Sequence, residues 1–227
     1  MRAYVTANNG DDDAGAVGER LLQRGYELIV LHREDHDAWP ALDDADVLLA
    51  LGSNWSVYWD HVAEPVDTEL GVLRKAHERG VPVLGICFGS QLLATALGGH
   101  VSRAPAPDVE IGWFDVVARP DAPGVLGGRW FQWHYDRWTL PLGAELLAST
   151  PSANQAFRIG RTVATQFHPE VTPSIVARWG GQATDTELKT DGIDLPSLLA
   201  ETATCGPDAA RRAHALVDWF CDEVVAS

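Results

Sequence analysis

Residues 81–91 read Val-Pro-Val-Leu-Gly-Ile-Cys-Phe-Gly-Ser-Gln, and no other stretch restricts the fold as tightly. A buried-type apolar run ends in Gly85-x-Cys87-x-Gly89, and a helical stretch begins at once. Strand, sharp turn and helix in that order form the local setting of a nucleophile elbow. Such a turn needs small residues on both sides of its centre, because the backbones approach closely there. The helix N-terminus beyond Cys87 favours thiolate over thiol and offers backbone N–H groups to an oxyanion. A buried structural cysteine is the alternative, since free Cys is commonly interior. The paired glycines, the strand before and the helix after favour a nucleophile.

The rest of the chain repeats this alternation. Apolar runs at 2–6, 27–32, 46–51 and 81–86 read as strands, with helical periodicity at 14–24, 66–79 and 90–97 between and after them. Val66, Leu70, Leu73 and Ala76 are spaced for one helical face, which Gly80 terminates. The pattern implies an α/β fold with a mostly parallel central sheet flanked by helices. From residue 109 to 164 it changes to short strands between Pro, Gly and Asn turns, at 111–117, 128–133, 145–149 and 155–159. Those predict a smaller antiparallel region. Another strand at 163–167 and a closing helix at 209–225 complete the reading. With 227 residues against roughly 150 per domain, and no repeat or long linker, one domain over 1–227 is expected.

A thiolate nucleophile needs a general base within hydrogen-bond reach, and the base needs an orienting acceptor. Thr165-Gln166-Phe167-His168-Pro169-Glu170 supplies both at the end of an apolar strand. His168 is the candidate base and Glu170 its acceptor, with Pro169 fixing the backbone between them.

The two motifs together resemble the class I glutamine amidotransferases, whose elbow is Gly-x-Cys-x-Gly-x-Gln and whose base motif is His-Pro-Glu. Gly85, Cys87, Gly89 and Gln91 match the first, and His168, Pro169 and Glu170 the second. The resemblance spans residues 46–172. It is strongest to stand-alone members similar to the glutaminase domain of GMP synthetase, through Ser56-Val57-Tyr58, Glu110-Ile-Gly-Trp113 and Gln132-Trp-His-Tyr-Asp136. It implies a flavodoxin-like sheet and a Cys87–His168–Glu170 triad, with Cys87 attacking the glutamine side-chain amide to form a γ-glutamyl thioester. It implies an oxyanion hole from the Phe88 N–H and one donor of the Gly52-Ser53 loop. Gln91 would hold the glutamyl portion, and His134, Tyr135 and Asp136 its α-amino and α-carboxylate ends. Many members carry Gly-Gly-Pro where this chain has Gly52-Ser53-Asn54, but backbone donors tolerate side-chain change. A partner synthetase would accept the ammonia. The alternatives are a stand-alone hydrolase of a larger γ-glutamyl amide or peptide, and a catalytically silent binding or regulatory member. Trp55, Trp59, Trp130, Trp133 and Trp138 either pack or line a pocket roomier than glutamine needs.

Other functions find less support. Seventeen Lys and Arg against 32 Asp and Glu give a formal charge of −15, which repels phosphate backbones and anionic lipid. No nucleic-acid or membrane partner is expected, and no apolar run approaches the roughly 20 residues of a bilayer span. The N-terminal Met1-Arg2-Ala3-Tyr4-Val5 runs into a strand without a signal-peptide pattern. Three cysteines cannot all pair, so a cytoplasmic setting is expected, with Cys205 and Cys221 structural. No phosphate loop of the Gly-x-x-x-x-Gly-Lys type occurs, and no cofactor is expected. His32 and His36 have a metal-like spacing but no second cluster. Asp11-Asp12-Asp13 reads as a solvated cap for the following helix, and no metal site is expected.

Overall fold

The computed structural model describes residues 1–105, 108–183, 188, 190 and 192–226. Its elements run β1 (Arg2–Ala7), α1 (Gly15–Gln23), β2 (Glu27–His32), β3 (Val47–Ala50), α2 (Ala63–Glu78), β4 (Val83–Ile86), α3 (Phe88–Ala96), β5 (Val101–Arg103) and β6 (Glu110–Ala118). They continue with β7 (Gly128–His134), β8 (Asp136–Trp138), β9 (Glu145–Ser149), β10 (Asn154–Ile159), β11 (Thr162–Thr165), α4 (Pro173–Gln182) and α5 (Leu195–Trp219).

Nine strands form one sheet in the order β2-β1-β3-β4-β11-β10-β9-β6-β7. The first five are parallel neighbours, in the strand order of flavodoxin-like doubly wound sheets. The last four continue antiparallel from β11, so the antiparallel region extends the central sheet. A separate ribbon pairs β5 with β8. Its three-residue strands are too short to show period-2 patterning, so neither was expected from sequence.

Alternation along the strands divides the core between two faces. Ala3, Val5, Val47, Leu49, Leu84 and Ile86 pack on one side with α1, α4 and α5. Tyr4, Leu48, Ala50 and Val83 pack on the other with α2 and α3. Crossover helices on both faces bury the parallel strands, which is why those strands are nearly continuous apolar runs.

Two elements depart from expectation. The closing helix starts at Leu195, well before residue 209, and runs through Gly206-Pro207. Pro207 forfeits one helical hydrogen bond, but Leu198, Thr202, Gly206, Ala209, Ala213 and Leu216 keep one buried face across it. Helix α1 has Ala14 as its N-cap, without a side-chain cap. Asp13 instead accepts from the Gly15 N–H at 2.9 Å, and Asp11 is engaged by Arg178 and Trp179. Among the described residues no helix is long and apolar enough to cross a membrane.

Candidate active site

Parallel strands present their C-terminal ends along one edge, where doubly wound sheets bind ligands. A cleft of about 850 Å³ opens there. Of the residues singled out from sequence, Gly52, Ser53, Cys87, Gln91, His134, Tyr135, Asp136 and His168 line it. Glu170 and Phe88 lie behind that lining, both buried.

Cys87 forms the turn between β4 and α3 at φ 51°, ψ −107°, and among the described residues no other non-glycine has positive φ. Only surrounding structure can hold a side chain in that region, at a strain of about 1–3 kcal/mol. Its N–H donates to the Thr165 carbonyl at 2.8 Å, and its carbonyl accepts from the Gln91 N–H and the Ser90 hydroxyl. The flanking glycines leave no alternative. A Cβ on Gly89 would lie 2.1 Å from the Ala50 carbonyl oxygen, and one on Gly85 2.5 Å from Leu93 Cδ1.

His168 follows β11, and its backbone N–H donates to the Phe131 carbonyl at 2.9 Å. Its Nδ1 meets Glu170 Oε1 at 2.7 Å, while its Nε2 is buried with no hydrogen-bond partner in the protein. Burial opposes the charged ring. The negative charges of Glu170 and Cys87 outweigh that penalty and hold the His168 pKa well above its usual value. Gly52 abuts both groups: a Cβ there would sit 3.2 Å from His168 Cε1 and 3.7 Å from Cys87 Cβ. The arrangement has a thiol, a base with its orienting carboxylate, and bare backbone side by side, which are the parts needed for acyl transfer.

The side of the cleft built from β7 and β8 is held by polar partners, most of them buried. Asp136 accepts from the Ser56 hydroxyl at 2.5 Å and the Tyr58 hydroxyl at 2.8 Å, and its carbonyl faces Gln91 Nε2 at 3.5 Å and His134 Nδ1 at 3.0 Å. The other nitrogen of His134 meets Glu110 at 3.1 Å, and Gln155 donates to the same Glu110 oxygen. The three short sequence features at Ser56, Glu110 and Gln132–Asp136 are therefore one hydrogen-bonded assembly. His134 has both ring nitrogens engaged by protein groups. Arg103 stacks over the Tyr135 ring, 4.7 Å from its centroid.

The tryptophans divide. Trp55, Trp59 and Trp133 line the cleft, while Trp130 and Trp138 are core. Sequence reasoning missed Trp179, whose ring meets His168 edge-on at 4.9 Å and Trp133 at 6.2 Å. It also missed Gln166, which donates to Cys87 Sγ at 3.6 Å. Gln166 lay inside the base motif; Trp179, eleven residues beyond His168 on α4, carried no local signal. Arg33 was passed over within the His32–His36 stretch. Those two histidines turn apart, to Asp12 and to the Arg33 carbonyl. Among the described residues no three His, Cys, Asp or Glu side chains converge as a metal site.

Residues 8–177 match the family model described as glutamine amidotransferase class-I. The chain is 36% identical over 178 residues to a GMP synthase [glutamine-hydrolyzing] from Ralstonia pickettii, covering 70% of this chain and 31% of that one. It is 31% identical over 214 residues to the corresponding protein of Cupriavidus taiwanensis, covering 86% and 35%. It thus spans about a third of the length of these relatives. Among solved structures, a glutamine amidotransferase from Thermotoga maritima superposes with a TM-score of 0.87 at 25% identity, over 98% of this chain and 99% of that one. A glutamine amido transferase from Methylobacillus flagellatus shares the fold, with a TM-score of 0.78 at 24% identity over 99% and 94%. By its matched segment, its sheet order and the motifs at its strand ends, the chain belongs to the class-I glutamine amidotransferase family.

Proposed function

We propose that this chain hydrolyses the side-chain amide of glutamine through a γ-glutamyl thioester on Cys87 and supplies the ammonia to a partner synthetase. The observation that carries the reading is the convergence of the strained Cys87 turn with His168–Glu170 against the bare backbone of Gly52. Cys87 Sγ attacks the amide carbon, and the oxyanion is received by the Phe88 N–H and a donor of the Gly52-Ser53 loop. As the C–N bond breaks, His168 Nε2 gives its proton to the departing ammonia. His168 then takes a proton from water, whose oxygen attacks the thioester, and glutamate leaves as the C–S bond breaks. Gln91, Tyr135 and Asp136, braced by His134, hold the amino-acid end of the substrate. The GMP synthase relatives are the source of the synthetase proposal, since this chain covers only a third of their length.

A second reading has its own support. The cleft, at about 850 Å³, falls in the range of about 300–1,000 Å³ typical of pockets for drug-sized ligands. Trp133 and Trp179 wall it beside His168. That room suits hydrolysis of a larger γ-glutamyl amide or peptide by the chain alone.

The test compares ammonia release from glutamine with amine release from bulkier γ-glutamyl amides, using Cys87→Ala as the blank. Glutamine turnover, alone or raised by an ATP-using synthetase that co-purifies, supports the first reading. Preference for a bulky amide supports the second. No turnover of either, with or without a synthetase, overturns both.

A further inference from the structure

Arg33 is a buried cation that the reaction just described does not use. It follows β2 directly, is 1% exposed, and faces Glu69, which is fully buried on α2. All five of its N–H groups are used. Nε donates to Glu69 Oε2 at 2.7 Å, and Nη2 to Glu69 Oε1 at 3.2 Å and to the Leu51 carbonyl at 2.9 Å. Nη1 donates to Asn8 Oδ1 at 2.9 Å and to the Gly52 carbonyl at 3.1 Å. Its guanidinium also lies 5.0 Å from the centroid of the Phe88 ring. One side chain therefore grips the loop beyond β3 and the residue that follows Cys87. These are the two backbone segments to which the oxyanion was assigned.

We propose that Arg33 is a positioning residue for the chemistry at Cys87, fixing the backbone of residues 51–53 and the Phe88 ring as one rigid oxyanion frame. In a planar trans peptide the C=O and the next N–H point in opposite directions. Holding the Gly52 carbonyl on the buried guanidinium turns the Ser53 N–H away from it, on a residue that lines the cleft beside Cys87 and His168. Ser53 is thereby the second oxyanion donor, and its hydroxyl, which accepts from the Trp55 N–H at 3.1 Å, helps shape the same loop. A lysine could not replace this fork, since one compact ammonium cannot reach five acceptors in fixed directions. The inference rests on the acyl-transfer reading of Cys87.

The experiment uses the full chain and the paired replacement Arg33→Met with Glu69→Met. The single Arg33→Met variant would leave the buried Glu69 carboxylate with only the Thr6 hydroxyl and no counter-charge, whereas exchanging both partners of a buried ion pair for apolar side chains is often neutral for folding. In the paired variant kcat for glutamine, or for the best γ-glutamyl amide, is expected to fall about 10²–10³-fold, the loss typical of one oxyanion donor. KM should change little. Alkylation of Cys87 by iodoacetamide, which needs no oxyanion hole, should keep its wild-type rate, and the amides of residues 52–54 should exchange hydrogen faster. An unchanged kcat overturns the proposal. So does a fall in kcat matched by an equal fall in alkylation, since the nucleophile itself would then be damaged. Should the wild-type chain hydrolyse no γ-glutamyl amide, the functional reading falls, and hydrogen exchange alone decides the role of Arg33. Unchanged exchange at residues 52–54 overturns it, and faster exchange supports its hold on the loop.

Discussion

In the parallel half of the sheet, Gly52, Cys87 and His168 lie just beyond the ends of β3, β4 and β11. In the antiparallel half, taken together with the separate β5–β8 ribbon, Trp133 and His134 reach the cleft from β7 and Asp136 from β8. The first group is placed by backbone: paired strand ends, a strained turn, and glycines that admit no Cβ. The second is placed by side chains holding side chains, Glu110 to His134 and Ser56 and Tyr58 to Asp136. In the proposed mechanism, backbone placement fixes where bonds are made and broken, whereas side-chain placement shapes what is held there. Changes in the first half should therefore act on kcat and changes in the second on KM.

The largest effect is expected at Cys87. Replacement by Ala or by Gly should reduce turnover to background, and the two variants should differ in stability. Both lose the proposed nucleophile, but only Gly relaxes the backbone at φ 51°. Cys87→Gly should therefore unfold at a higher temperature than Cys87→Ala, by a free energy within the roughly 1–3 kcal/mol such strain stores. Equal midpoints would mean that the turn is not strained. Next in size, Gly89→Ala should cost stability as well as activity. Its Cβ would lie 2.1 Å from the Ala50 carbonyl oxygen, and overpacking of this kind costs about 1–3 kcal/mol. A denaturation midpoint equal to wild type would show that β3 and α3 can part without disturbing the elbow.

The same contrast explains how much of the molecule was legible in its sequence. Gly85-x-Cys87-x-Gly89 and His168-Pro169-Glu170 could be read because the geometry at a strand end is set by neighbours in the chain. Apolar runs marked the parallel strands for the same reason. Asp136 and Ser56 stand 80 residues apart, and Arg33 and Glu69 36 apart. No local pattern announces such pairs. Arg33 was obscured by the histidines beside it, and helix α5 by Gly206-Pro207, a breaker whose cost is met by burial on α1 and α4 that only the folded chain reveals.

A moderate effect is expected in the antiparallel half. Asp136→Ala removes the acceptor that holds the Ser56 and Tyr58 hydroxyls beside Gln91. KM for glutamine should rise roughly tenfold, equivalent to about 1.4 kcal/mol of binding, with kcat falling much less. Leaving the buried Ser56 hydroxyl unpartnered should also cost about 1–3 kcal/mol of stability. A loss confined to kcat would erase the division between the two halves.

The finest distinction is in pH dependence. The negative charges of Glu170 and Cys87 raise the folded-state pKa of His168 against burial. A basic group raised on folding binds its proton more tightly in the native state, so it contributes stability in full below its unfolded pKa of about 6.5. That contribution fades as pH climbs through the raised folded value. Glu170→Gln removes one of the two charges, so the stability gap between it and wild type should narrow as pH rises through that window. The alkaline limb of kcat/KM, where His168 would lose the proton that the proposed mechanism requires it to deliver, should move to lower pH in the same variant. Asp136→Ala, changed in the other half, should keep the wild-type limb even while its KM is raised. Profiles that shift together in both variants would mean that the proton on His168 is governed by the whole cleft; a shift in Glu170→Gln alone would assign it to the strand-end groups.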